Sequence, residues 1–421
     1  MRRFDWPRRV LLGTCVLVLP LLGHAQTSGW DAWLATQIQK HPDVLAAREQ
    51  WQGSNASADA AEQPLYNPEL STDLERNGED NNYLVGIQQT IDWRDRQGAR
   101  TQQAGYLRSA AEALYRQQVQ DKTAEALVAL VEWYAASRAA AIAQAQQQQL
   151  NSLLELVEKR QKAGDLGSID AELTFLSLSQ QLAQVAGVEA AQQQAETRAR
   201  ELLPEWSSER GGIPDDFWPS RPGSTTDQEL LKHPAVVSAR ARWQLLEAQA
   251  EVTRLTAKAD PTFGVNAGRD EGESVVGLTF SIPLNVRNNY RAETRAAERT
   301  AQEAEARFQA IYRKRRFDWQ AAHAVWQRYE QQYRRWQDVV LGRVENSAEL
   351  LKRQWRSGDL STTDYLLALN QRAESLLAGI ELEKQAQLAL TEALQQSGRL
   401  TSAAISATTP ATTPAPMPTT K

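Results

Sequence analysis

The second half of the sequence repeats motifs of the first half, and this repetition constrains the fold more than any other feature. Residues 40–44 (KHPDV) return as residues 232–236 (KHPAV), and each copy is followed by Ala-Arg and then by a tryptophan, Trp51 or Trp243. The repeat is much longer than a solenoid period, which is about 20–50 residues. We therefore expect one architecture built from two equivalent units. They are residues 26–203 and 233–400, joined by a crossover over residues 204–232.

Each unit is predicted to contain one long helical hairpin. Proline is absent from residues 69–203 and 284–409, and both blocks are rich in Ala, Gln and Glu, which favours helix. Each block is interrupted by glycine near its middle, at Gly164 and Gly358, and glycine is the usual residue just past a helix end. The hairpins are predicted over residues 94–203 and 288–398.

A pair of β-strands is predicted before each helical hairpin. Val85 and Ile87 alternate with Gly86 and Gln88 in the first unit, and the same phase recurs in the second. Such alternation is typical of strands of about ten residues with one apolar and one polar face. The β-hairpins are predicted over residues 68–93 and 261–284. The side chains expected to face lipid are Val85, Ile87, Ile91, Val276, Leu278, Phe280 and Ile282.

The two ends of the chain are predicted to lie outside the folded units. Residues 1–25 carry four arginines near the start, an apolar run and a closing Gly-His-Ala, which is the pattern of a secretory signal peptide. The only cysteine, Cys15, lies in that run, so we expect no disulfide. Residues 401–421 are mostly Thr, Ala and Pro, a composition typical of disorder.

The predicted strands point to a membrane-spanning barrel that is shared between chains. Their length suits a transmembrane strand, and no apolar run of 18 or more residues follows the signal, so we expect no transmembrane helix. Four strands cannot close a barrel, and open edges are not tolerated in hydrocarbon. Two chains would give eight strands around a filled interior, whereas three would give twelve and a lumen. A soluble antiparallel sheet beside a coiled coil is the alternative.

Both units carry His-Pro-x-Val, at residues 41 and 233, and the second unit carries the turn RSGDLSTTDYL at residues 356–366. With these motifs, the order of elements in both units resembles the TolC-type outer-membrane efflux family. The short turns and the overall length look closest to its CzcC-like branch, which serves heavy-metal cation efflux. The resemblance covers residues from about 29 to 400. It implies an α+β membrane protein, a homotrimer whose helical hairpins form a periplasmic α-barrel below a 12-stranded β-barrel in the outer membrane.

The resemblance also implies partners and assigns roles to residues. The partners are a periplasmic adaptor (membrane fusion) protein and an inner-membrane pump, of the proton-driven RND type. The hairpin tips would dock the adaptor, and an acidic residue of the family's pore constriction matches Asp364, with Asp170 as its counterpart. The alternative is a plain turn and an exposed carboxylate at a helix start. The tip residues are Gly164, Asp165, Leu166, Gly358, Asp359 and Leu360.

Three acidic residues of the first strand are expected to line the lumen. Glu69, Asp73 and Glu75 alternate with Leu70, Thr72 and Leu74. If the leucines face lipid, the carboxylates form an acidic mouth that favours cations. A solvated strand face is the alternative.

The function predicted from the sequence is a passive exit duct of a tripartite efflux system. We expect no enzyme, cofactor or metal site, because phosphate-loop, zinc and nucleophile-elbow motifs are absent from the sequence. His41 and His233 each precede a proline at a predicted helix start, which indicates a structural role. The net charge of −5 argues against nucleic acid as a partner. The alternatives are a duct for type I protein secretion and, from another class, a periplasmic adaptor or coiled-coil scaffold.

Overall fold

The structure, a computed structural model, describes residues 29–77, 80–164, 167–214, 217–218, 225–270 and 273–400. The predicted signal peptide, the Thr/Ala/Pro tail and the tip residues Asp165 and Leu166 lie outside the described residues.

The first part of the chain passes from two helices through a β-hairpin into two long helices. The first long helix has 67 residues, which corresponds to about 100 Å at 1.5 Å per residue. The elements are α1 Gly29–Lys40, α2 Pro42–Glu62, β1 Glu69–Asn77, β2 Asp80–Thr90, α3 Arg96–Lys162 and α4 Ser168–Leu202.

The second part has the same kinds of elements in the same order. Between the two parts, the described residues include one short 3-10 turn, Ser208–Arg210. The elements that follow are α5 Asp227–Leu230, α6 Pro234–Thr256, β3 Thr262–Asp270, β4 Glu273–Ser281, α7 Arg291–Trp336, a π-helical turn Gln337–Leu341, α8 Gly342–Ser357 and α9 Thr362–Ser397.

The start of α3 is determined by two aspartates that satisfy its free N–H groups. The Asp92 carboxylate accepts hydrogen bonds from the backbone N–H of Arg96 at 2.9 Å and of Gln97 at 2.7 Å. Asp95, with φ of 56°, accepts from the N–H of Gly98 at 3.2 Å. Negative charge at a helix N-terminus is also favoured by the helix dipole. These contacts convert the end of β2 into a helix within a few residues.

The interior of the helical part forms three apolar clusters. The largest lies where α1, α2 and the end of α4 pack on the middle of α3, around Leu127, Leu130 and Trp133. The edge of the Trp206 ring meets Trp133 at 4.7 Å between centroids. The other two clusters lie between α7 and α9 and at the hairpin ends. The long helices are therefore buried mainly against one another.

The second hairpin contains a π-helical turn, whereas the sequence predicts one continuous arm. Trp336 ends α7, and the π turn Gln337–Leu341 follows it. The guanidinium of Arg372 on α9 donates to the carbonyl of Val344 at 3.1 Å. A π turn disturbs the regular backbone pairing of a helix, and this cross-helix bond holds the arm to α9 just beyond it.

The four strands form one antiparallel sheet in the order β1-β2-β3-β4. Ile87 lies opposite Leu70 on one side and Val265 on the other, and Val265 in turn lies opposite Leu278. Most apolar residues of the four strands therefore share one face, whereas Leu84 and Val275 lie on the other. β1 and β4 are the edge strands, each paired on one side only within this chain.

One described helix is long and apolar enough to cross a membrane by length and composition. It is α3, in which one window has a mean hydropathy of 1.3, and 44% of that window is buried inside the protein. The core helix of a soluble domain passes the same test. Part of the apolar surface of α3 packs against α1, α2 and α4.

Candidate functional site

The apolar face of the sheet is exposed over its whole length. Leu70, Leu74, Val276 and Leu278 are each between 75% and 87% exposed. Burying such side chains is worth about 25 cal/mol per Å² of apolar surface. The residues predicted to face lipid lie on this face with two exceptions, Ile91 and Ile282.

Ile91 and Ile282 lie one residue beyond the ends of β2 and β4, respectively. The N–H of Ile91 still donates to the carbonyl of Pro261 at 2.9 Å, but the chain then turns to place Asp92 at the start of α3. Pro283 restricts the backbone of Ile282 and has no N–H to pair. The strands are therefore shorter than the sequence predicts.

The opposite face of the sheet carries mostly polar and small residues, with Leu84 and Val275 as apolar exceptions. Glu69, Asp73 and Glu75 lie opposite Gln88, Leu84 and Asn82 on β2. The Gln88 amide donates to the Glu69 carboxylate at 2.9 Å. All three acidic side chains are exposed, so this end of the sheet carries negative charge on the face opposite Leu70 and Leu74.

The two hairpin ends pack together in one apolar cluster. It contains Leu150, Leu153 and Val157 from α3 and Trp355, Tyr365, Leu366 and Leu369 from α8 and α9. The Trp355 and Tyr365 rings stack at 5.2 Å with 10° between their planes. The Arg160 guanidinium lies 5.2 Å from the Trp355 ring centroid. The cluster therefore joins the first hairpin to the second.

The turn between α8 and α9 is a glycine-terminated helix end. Gly358 has φ of 86°, and the N–H of Asp359 donates to the carbonyl of Gln354 at 2.9 Å, the pattern of a Schellman motif. Asp359 is exposed, whereas Leu360 packs against the cluster of the hairpin ends. Gly164, with φ of 83°, ends the described part of the first hairpin turn.

Asp364 lies in the first turn of α9 and is exposed. The Ser361 hydroxyl donates to its carboxylate at 2.7 Å and accepts from its backbone N–H at 3.1 Å. Asp170 occupies the first turn of α4 and is half-buried. Both aspartates therefore lie at the same end of the molecule as the tips.

A buried polar cluster that the sequence does not predict lies where the sheet meets the helices. The Tyr66 hydroxyl donates to the Asp260 carboxylate at 2.8 Å. Asp260 also pairs with Arg96 at 3.2 Å, and their side chains are 4% and 14% exposed. The Arg96 guanidinium also bonds the Tyr66 hydroxyl.

The two histidines at helix starts cap their helices. His41 and His233 each accept, through Nδ1, a backbone N–H two residues further on, at 3.2 and 3.1 Å. His233 is 3% exposed, and its Nε2 lies 3.0 Å from the carbonyl of Gln395. Burial lowers the pKa of His233 to about 4. A neutral ring with its hydrogen on Nε2 satisfies both contacts.

Among the described residues, no group of three or more His, Cys, Asp or Glu side chains is arranged to hold a metal ion. Comparison with models of known protein families gives no match, and neither does comparison with curated protein sequences.

Solved structures do resemble this chain. CusC, described in terms of folding and transmembrane channel formation, has a TM-score of 0.73 with 15% identity, over 88% of this chain and 92% of CusC. The Campylobacter jejuni CmeC outer membrane channel gives 0.72 and 11%, over 88% and 86%. The Vibrio cholerae outer membrane protein VceC gives 0.69 and 16%, over 88% and 96%. The chain therefore has the fold of these outer-membrane proteins.

Proposed function

We propose that this protein is the outer-membrane channel of a tripartite efflux system, a passive trimeric exit duct. In this proposal the sheet contributes to a shared twelve-stranded barrel in the outer membrane, and the long helices form an α-barrel in the periplasm. A periplasmic adaptor and an inner-membrane pump of the RND type deliver the substrate. We assign it to the TolC-type family on its fold and on the turn at residues 356–366.

The observation that carries the proposal is the four-stranded sheet with one continuous exposed apolar face and two open edges. An open edge leaves backbone N–H and C=O groups unpaired, and each costs several kcal/mol in hydrocarbon. β1 and β4 run antiparallel to each other because the sheet is a meander. When β4 of one copy lies beside β1 of the next, the antiparallel pattern continues and a ring of copies removes every edge.

The helices support the periplasmic part of the proposal. α3 alone is about 100 Å long at the rise of an α-helix, and the hairpin tips lie at its far end from the sheet. A tip that projects this far from the membrane is placed to meet an adaptor. We propose docking at Gly164, Asp165, Leu166, Gly358, Asp359 and Leu360.

Charge suggests cations as the substrate class. Three copies of Asp364 around an axis would attract cations and repel anions, and Glu69, Asp73 and Glu75 would do the same at the barrel. We propose Asp364 as the principal gate residue and Asp170 as a second. Heavy-metal cations, as in the CzcC-like branch, are the substrates that we propose within this class.

Fractionation and electrophoresis test the location and the assembly. We expect the protein in the outer-membrane fraction, as a trimer in unheated samples that becomes a monomer on boiling. Purified trimers in planar bilayers should conduct ions. A monomer recovered wholly from the soluble periplasm would contradict the proposal and would favour the scaffold alternative.

Site-specific crosslinking tests adaptor docking. Since the sole cysteine, Cys15, lies within the predicted signal peptide, Asp359→Cys should give a unique reactive site at the exposed tip. We expect crosslinks from this site to the adaptor in cells. Arg307→Cys on α7, where the native side chain is 69% exposed, is the matched control and should give none.

Bulky substitutions at the hairpin tips test adaptor docking through its effect on pump-dependent resistance. The double variant Gly358→Trp with Gly164→Trp should abolish pump-dependent resistance while leaving the amount of trimer unchanged. Full resistance together with unchanged adaptor crosslinking at normal protein levels would rule out docking at these tips.

A further inference from the structure

The apolar face of the sheet contains a groove, and its position suggests a ligand. The groove has a volume of about 580 Å³. It spans β2, β3 and the edge strand β4 on the apolar face of the sheet. The side chains that form it include Ile87, Phe263, Val265, Leu278 and Phe280, and Pro68 lies at its margin.

The strand register places these side chains in two adjacent rows. Val265 lies between Ile87 and Leu278 in one row, and Phe263 lies opposite Phe280 in the other. The two phenylalanine rings are tilted by 55° with centroids 5.3 Å apart. Val265 is therefore the floor of the groove, and the aromatic pair closes one end.

The groove is apolar but not filled by the protein. Val265 is 51% exposed and Ile87 is 57% exposed. At about 25 cal/mol per Å² of apolar surface removed from water, an apolar chain lying in the groove gains free energy from both walls and from the floor. On a flat sheet face, the same apolar chain would contact the protein on one side only.

The end of the sheet next to the phenylalanine pair carries interfacial and cationic residues. The indole N–H of Trp93 donates to the carbonyl of Ala259 at 3.3 Å, and Arg94 lies 5.8 Å from the Trp93 ring centroid. The Asn285 amide donates to the carbonyl of Ala257 at 2.7 Å. Residues 93–94 and 285–287 therefore both lie beside the segment that leads into β3.

Two of these residues are exposed arginines, Arg94 and Arg287. The nearby Asp92 and Asp95 carboxylates are engaged with N–H groups at the start of α3. Tryptophan is enriched where a membrane meets water, and exposed arginines attract anionic lipid headgroups. Both features match a lipid with an anionic headgroup.

We propose that the groove binds one acyl chain of an anionic phospholipid, whose phosphate lies toward Arg94 and Arg287. The inference rests on the proposed membrane location and adds to it a discrete lipid site on a face that would otherwise contact lipid uniformly. Such a site fixes one lipid per protomer at the periplasmic end of the strands.

The test compares two substitutions on one strand. Val265→Phe fills the floor of the groove and keeps the face apolar. Ala267→Phe adds comparable bulk one row away, between Val85 and Val276, outside the residues that line the groove. Each purified trimer is reconstituted in phosphatidylethanolamine vesicles with spin-labelled phosphatidylglycerol or phosphatidylcholine, and the immobilised lipid per protomer is measured for each label.

We expect wild type and Ala267→Phe to immobilise the same excess of phosphatidylglycerol label over phosphatidylcholine label, and Val265→Phe to show at least threefold less excess, because lipid around the rest of the apolar face is immobilised in all three. Phe280→Ala removes half of the aromatic pair that closes one end of the groove, adds no volume, and should give the same loss. Arg94→Gln should abolish the preference for phosphatidylglycerol over phosphatidylcholine labels. An equal excess in Val265→Phe, Phe280→Ala and wild type would overturn the lipid site.

The lipid site and the channel proposal fail in different ways. If the wild-type chain is a soluble monomer, the channel proposal fails and the lipid site fails with it. If trimers conduct ions but the excess of immobilised phosphatidylglycerol is unchanged in both groove variants, the lipid site alone fails.

Discussion

The indole ring of Trp336 lies directly against the backbone of Gly379, and no space remains for a side chain at that glycine. Trp336 is the last residue of α7, and Gly379 is a buried position on α9. The contact therefore holds the outer arm of the second hairpin to its return helix at the point where the π turn begins.

A methyl group at Gly379 should separate these two helices. Overpacking of this kind costs about 1–3 kcal/mol, which exceeds the gain of up to about 1 kcal/mol from replacing glycine by alanine in a helix. We expect Gly379→Ala to lower the midpoint of thermal unfolding in detergent.

The matched control for that substitution is Gly187→Ala on α4, where an added Cβ meets no atom within 4 Å. It should raise the midpoint slightly, because only helix propensity changes. Equal midpoints for the two variants would show that the contact between Trp336 and Gly379 does not constrain the hairpin.

The buried His233 should make stability depend on pH below neutrality. Its pKa falls from 6.5 to about 4 in the folded protein, so the unfolded chain binds more protons between these values. The stability from this group is complete above about pH 6.5 and is lost as the pH falls toward 4, by up to about 1.4 kcal/mol per pH unit for each protomer.

His233→Asn tests this, because asparagine still accepts the N–H of Ala235 as a helix cap. The variant should lose the decline in thermal midpoint that wild type shows between pH 6.5 and 4. A decline of the same slope in the variant would assign the pH dependence to other groups.

The cluster of Tyr66, Arg96 and Asp260 should stabilise the junction between sheet and helices. Asp260→Ala leaves Arg96 buried without its counterion, and breaking a buried ion pair in this way costs about 3–5 kcal/mol. Tyr66→Phe removes one neutral donor and should cost about 1 kcal/mol. Chemical unfolding of the purified protein measures both.

The control for this cluster is the exposed pair of Glu303 and Arg307 on α7. Glu303→Gln should change stability by about 0.5 kcal/mol or less, since exposed helical ion pairs are weak. If Asp260→Ala were as mild as Glu303→Gln, the cluster would have no special role in holding the sheet on the helices.

The proposed gating role of the Asp364 charge can be separated from the hydrogen bonds that Asp364 makes at the start of α9. Asp364→Asn keeps an oxygen that accepts the Ser361 hydroxyl but removes the charge. If Asp364 lines the constriction, cation-to-anion permeability in single-channel recordings should fall severalfold, with normal trimer yield. As a control, Glu349→Gln neutralises an exposed acidic residue on α8 and should leave the selectivity unchanged. Wild-type selectivity in Asp364→Asn would remove this residue from the gate.

The kinds of elements and the phase of the strands were accessible from the sequence, because they depend on local patterns. The alternation around Val85 and Ile87 predicts which residues share a face, and the observed register places them together. Gly358 is recognisable as a helix end because a left-handed backbone favours glycine. Strand ends were less accessible, since Ile91 leaves the sheet only when the Asp92 side chain caps α3.

The features that escaped prediction depend on contacts between distant residues. Tyr66 and Asp260 are 194 positions apart, and neither position carries a local signal of burial. The groove around Val265 depends on three strands in register. The π turn was not predicted either, because the weak helix propensity of Asp338, Val339 and Val340 within Gln337–Leu341 does not specify where an extra residue is inserted.

That π turn has a consequence for engineering. An extra residue in one turn rotates everything beyond it by about 100° relative to a regular helix, so the heptad positions of α7 do not carry over to α8. The tip hairpin is therefore a module with its own register. A chimaera whose joint lies within Gln337–Leu341 could exchange this end of the second hairpin without disturbing the packing of α7 against α9.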